Sequence, residues 1–173
     1  TYAAPGLYAV TLTVTDSGNG TASASKVVLA GRQILTSSSR FNLNFQKSGY
    51  DRFTYSSKAA TVPQDLQTTG LSGTVLLGTG VFAFTLDEKG NFKIPPLKVM
   101  LNPLRQTLKV TLSRADLRAA FASSGAIDGD ISARQISVPF AISLSNGTVL
   151  GSTGIRYEYS ARLGRTGKAK LLP

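Results

Sequence analysis

From Ile136 to Leu144 every second position is apolar: Ile136, Val138, Phe140, Ile142 and Leu144. A period of two places these side chains on one face of a strand. Asn146-Gly147 then predicts a type I′ hairpin turn, and Ile155, Tyr157 and Tyr159 resume the alternation on a returning strand. Pro139 falls on the outward parity and has no amide proton to give a ladder, which predicts an edge strand.

The same period marks Phe41-Asn-Leu43-Asn-Phe45 and Leu108, Val110 and Leu112. Shorter strands are expected at Asp51–Tyr55, Leu71–Leu77 and Val81–Leu86, with a polar loop from Ala59 to Thr69 around Pro63. Asp87-Glu-Lys-Gly90-Asn91 reads as a hairpin turn in which Gly90 supplies the positive φ. Ile94-Pro95-Pro96-Leu97 belongs at an edge or a bend, because two prolines cannot donate to a ladder. One helix follows Leu112. Ser113 is its expected N-cap with Asp116 at the third helical position, Leu117, Ala120 and Phe121 share a face, and Ser123-Ser124-Gly125 stops it. A single short helix in a β chain is expected to cover one end of a sandwich.

The chain opens with Tyr2-Ala-Ala-Pro5-Gly6-Leu7-Tyr8 and the alternating run Val10, Leu12 and Val14 to Asp16, then Ser17-Gly18-Asn19-Gly20 and a second strand-like stretch to Ala30. This stretch resembles the closing hairpin of a PKD domain, an immunoglobulin-like β-sandwich. Residues 41–170 loosely resemble the β-rich modules that follow PKD domains in large bacterial surface proteins, through Phe-x-Leu-x-Phe, the turn at 84–90 and Gly-x-x-Gly-Lys-Ala-Lys at 164–170. The resemblance implies an all-β chain with residues 1–31 as a partial immunoglobulin-like hairpin, 32–39 as a polar linker and 40–173 as a β-sandwich domain with one short helix. It further implies an extracellular or cell-surface, non-catalytic role as a structural or adhesive module or filament subunit. The alternative is a carbohydrate-binding module of a larger secreted enzyme, with Tyr50, Phe53 and Tyr55 as its clustered aromatics.

An isolated two-stranded hairpin is marginal in water. The apolar face of Tyr8, Val10, Leu12 and Val14 is therefore a candidate interface, covered by packing on the second domain, by neighbouring domains or by copies of the same protein.

Composition narrows the chemistry. The 173 residues include no Cys and no His, which removes disulfides, zinc–thiolate clusters, the commonest metal ligand and the usual base near neutral pH. Charged residues are 16%, and the 19 Lys and Arg against 9 acids give a net charge of +10. The cations lie singly along most of the chain, as solubilising outward positions do. Arg162, Arg165, Lys168 and Lys170 form the one concentrated basic segment, a candidate contact for an anionic polysaccharide. It lacks interleaved aromatics, which argues against specific nucleic-acid binding. No apolar run approaches the length of a membrane-spanning helix.

The acids have structural uses: Asp16 and Asp87 flank turns, and Glu158 stands outward beside Arg156. A paired-carboxylate hydrolase is therefore disfavoured. Asp128-Gly129-Asp130 stops short of a calcium-loop ligand series and reads as a turn. Gly164 to Lys168 lacks the glycine spacing of a phosphate loop, and no Gly-x-Ser-x-Gly is present. Asn19-Gly-Thr21 and Asn146-Gly-Thr148 match glycosylation acceptors but are better explained as hairpin turns. No cofactor is expected.

Overall fold

The computed structural model describes residues 6–58 and 62–173. Tyr2 to Pro5 of the PKD-like motif and Ala59 to Thr61 of the expected loop lie outside them. The described chain is almost entirely antiparallel β. Strands β1 (Gly6–Thr15) and β2 (Thr21–Ala30) form a two-stranded hairpin in continuous register from Gly6↔Ala30 to Thr15↔Thr21.

All other strands belong to one sheet: β3 (Arg32–Gln33), β4 (Ser38–Asn44), β5 (Asp51–Ser57), β6 (Ser72–Leu77), β7 (Gly80–Thr85), β8 (Asn91–Ile94), β9 (Leu97–Asn102), β10 (Thr107–Ala115), β11 (Ile131–Leu144), β12 (Val149–Ala161) and β13 (Thr166–Leu171). Their order is β7-β6-β11-β12-β13-β4-β5-β10-β9-β8, and β3 pairs in parallel with β12.

The two ends of that order, β7 and β8, are consecutive in the chain. Nine steps at about 4.8 Å would make a flat sheet roughly 43 Å wide. The turn from Thr85 to Asn91 can span only about 21 Å. The sheet must therefore curl over itself, and Phe84 on β7 meets Phe92 on β8 with ring centroids 6.3 Å apart. The inward positions of the curled sheet make the core. Phe53 and Tyr55 of β5 pack on Phe140 of β11 at 6.0 and 4.1 Å, and Phe41 of β4 meets Tyr157 and Tyr159 of β12. The result is the sandwich-like all-β fold that the alternations imply.

Helix α1 (Arg118–Ala122) closes one end, with Phe121 stacked on Phe41 at 4.3 Å. Its start differs from the expected capping box. Ser113 is still within β10, Leu117 is the N-cap, and no side chain of the helix's own first turn caps it. The acceptor comes instead from the buried Asp51, 66 residues away in sequence: its Oδ2 takes the Leu117 N–H at 2.7 Å while Oδ1 takes the Asn44 N–H at 2.7 Å. One carboxylate thereby ties β4, β5 and α1 together.

Three further expectations are corrected. Pro139 is on a central strand, β11, between β6 and β12; it sits at the register shift between Val138 and Phe140, where its carbonyl accepts the Gly78 N–H, so its missing donor is not needed. The β11–β12 turn is not type I′, since Gly147 has φ +83 but Asn146 does not have positive φ. The Gly147 N–H donates to Leu144 and Thr148 closes the loop, as in a three-residue turn ending in a left-handed residue. The expected linker 32–39 is part of the body, because Ile34 and Ser39 are buried and Arg32–Gln33 pair with β12. The two prolines at 95–96 do occupy the bend between β8 and β9 at the sheet edge.

Candidate functional site

Two surfaces stand out, one apolar and one basic. The apolar one is the hairpin. Val10, Leu12 and Val14 share a face with Ala24 and Ala22 opposite, while the other face carries the Thr13 Oγ1···Ser23 Oγ contact at 2.9 Å. Near its base the ribbon touches β11 and β12, and Tyr8, Val28 and Leu29 are half-buried. Farther out the face is exposed: Val10 is 42% exposed, Leu12 66% and Val14 57%. At the tip Asp16 holds the turn, its Oδ1 accepting the Gly18 and Gly20 amides at 2.8 Å.

The basic segment is divided by the β12–β13 turn. Arg162 and Arg165 flank Gly164, which has φ +61, whereas Lys168 and Lys170 are the outward residues of β13. Asp128 and Asp130 serve this turn and accept the Gly164 and Leu163 amides at 2.8 and 3.1 Å. Lys170 pairs with Glu158 at 2.9 Å. Arg162, Arg165 and Lys168 border an open groove of about 770 Å³ together with Gln46, Ser132 and Ser160.

Cross-strand register gathers cations that are scattered in sequence. Directly opposed positions run Ser160–Lys168–Asn42–Arg52–Ser113 across β12, β13, β4, β5 and β10. The neighbouring row runs Glu158–Lys170–Arg40–Thr54–Thr111–Lys98–Lys93, out to β8. Both rows lie on the outer, exposed or half-exposed face of the sheet. Reading the cations as evenly scattered misses this face, because the signal lies in pairing partners, which spacing along the chain does not carry.

The aromatic cluster proposed for sugar binding does not form. Phe53 is fully buried and Tyr55 is 3% exposed, both in the core, because they hold the inward parity of β5. Tyr50 alone is outside, at 65%, with Lys47 Nζ 5.7 Å from its ring centre. It borders a depression of about 590 Å³ with Arg52, Ser113 and Arg114. Arg114 has φ +57 and is the extra residue between Ser113 and Ala115 in the β10–β5 pairing. In unbroken alternation after the buried Leu112 it would point into the core. The bulge turns it out beside Arg52.

Asp87 and Asp116 are held by local partners. The Asn91 amide, first, and the Lys89 amide hold the Asp87 carboxyl below its ordinary value. The Arg118 guanidinium and then the Ser48 hydroxyl do the same for Asp116. Among the described residues no group of three or more acids is close enough to hold a metal ion. Burial pushes the Tyr55 and Tyr159 hydroxyls up to about 12 and raises Tyr157 as well, although the Ser39 hydroxyl contacts Tyr157 and partly offsets the effect.

No helix among the described residues is long and apolar enough to cross a membrane. Comparison with family models, curated proteins and solved structures finds no match to this chain.

Proposed function

We propose that this chain is a non-catalytic structural or adhesive module of a bacterial surface protein, working outside the cell, in which the β1–β2 hairpin couples the body to a neighbouring domain or copy. The observation that carries this reading is the fully paired hairpin whose Val10, Leu12 and Val14 stay exposed on one face. An uncovered apolar ribbon is a template for another β surface, and its own two strands supply too little burial to hold it. The PKD-like pattern of the hairpin supports the same reading.

Light scattering on the full chain and on residues 31–173 tests it. Concentration-dependent association of the full chain that vanishes in the shorter one supports coupling through the hairpin. A monomer in both cases, with a protease-sensitive hairpin, overturns it.

A further inference from the structure

The cation row of the outer sheet face connects the two depressions described above. Ser160 and Lys168, at one end, belong to the groove bordered by Arg162 and Arg165; Arg52 and Ser113, at the other, belong to the depression with Tyr50 and Arg114. Four strand steps separate Ser160 from Ser113, about 19 Å at ordinary strand spacing. Asn42 lies between the charged ends, and Lys170 and Arg40 flank the row on the adjacent ladder. Glu158, the acid of that adjacent ladder, is already paired with Lys170.

We infer that an extended anionic polysaccharide lies along this row, across the strands, from the Arg162–Arg165 groove to the Arg52–Arg114 depression. Charge complementarity selects a polyanion, because cations at both ends and Arg40 on one flank release counterions from a chain that spans them. Guanidinium groups match carboxylate and sulfate oxygens with paired N–H donors. The bulge at Arg114 is part of the device: a left-handed arginine costs backbone strain, and here it adds a second guanidinium beside Arg52. Asn42, Ser113 and Ser160 offer neutral partners for sugar hydroxyls, and Tyr50 gives one ring face at one end. A single ring suits a sugar better than a series of bases, since single-stranded nucleic acid is held by stacking successive bases on several aromatics. This inference concerns a different face from the hairpin and does not rest on the coupling role.

The test measures binding of the full chain to heparin, to polygalacturonate and to duplex DNA at two salt concentrations, with folding checked by circular dichroism. R52E/K168E is compared with K89E/R105E, which makes the same charge change in loops away from the row, and R52Q/K168Q serves as a milder pair should reversal impair folding. The expected result is salt-sensitive binding to at least one of the two polysaccharides, weakened about tenfold or more by the row variants and less than about twofold by the loop pair. Binding of heparin alone would assign sulfate groups, and of polygalacturonate alone carboxylates. Equal loss in both variant pairs overturns the site in favour of diffuse net charge. Absence of binding at low salt, or tighter binding to duplex DNA than to either polysaccharide, also overturns it.

Discussion

Asp51 joins three elements of the fold through one side chain. Its carboxylate accepts two backbone amides, one from the end of β4 and one from the N-cap of α1. Truncation would leave one buried and one half-buried donor without this partner, and hydrogen bonds to charged groups contribute roughly 1.5–3 kcal/mol each. Asp51→Ala is therefore expected to lower stability by about 3 kcal/mol in urea unfolding, whereas Tyr50→Ala, on the surface, should change it by less than about 0.5 kcal/mol. Phe53→Ala in the core should cost about 3–5 kcal/mol. The alternation around Phe53 announces its burial if the strand's parity is read, but grouping it with Tyr50 as a surface cluster ignores that parity. The role of Asp51 was not legible, because its partners are remote in sequence.

The buried tyrosines set a pH limit. Tyr55 and Tyr159 titrate near 12 in the folded protein, and Tyr157 is also raised. The unfolded chain ionises near 10. Between these values the unfolded state binds fewer protons, so stability is complete below about pH 10 and falls as pH rises toward 12. Absorbance at the tyrosinate band should show these three hydroxyls ionising together with loss of structure. Gradual ionisation of these three tyrosines near pH 10 with the fold intact would contradict their burial.

Among the elements, strands with large inward residues were legible: β4, β5, β10, β11 and the second half of β12 all follow visible alternations. Strand β13 is hard to see within the basic segment because its first two inward positions are Gly167 and Ala169, which carry little hydrophobic signal. Gly167 is small for a reason, since a Cβ there would stand 2.2 Å from the Tyr159 hydroxyl. Strand β9 was hidden behind the two prolines although Leu97, Val99 and Leu101 alternate inward. The β6–β7 turn shows what local pattern cannot predict. Gly78 has φ +58, and a Cβ on it would lie 1.9 Å from the Ala120 carbonyl oxygen, the group that accepts the Thr79 N–H. Gly78→Ala should therefore push the turn off α1 and cost about 3 kcal/mol, seen as a lower urea midpoint with faster amide exchange at Thr79. An unchanged midpoint would mean that the turn does not seat on the helix.

For the whole molecule, alternation implied an all-β fold but not its closure, which follows from β7 and β8 being the two ends of the sheet and neighbours in the chain. Closure also decides which outward cations share a face, so the basic row could not be read before the register was known. The apolar face of the hairpin, by contrast, was visible from Val10, Leu12 and Val14 alone. The claim that this face is a coupling surface is tested most directly by hydrogen exchange of the β1–β2 amides at low and high protein concentration. The expected result is protection that grows with concentration in the full chain and is lost when Val10, Leu12 and Val14 are replaced by Ser. Exchange that is equally fast at every concentration, with and without these substitutions, would contradict it.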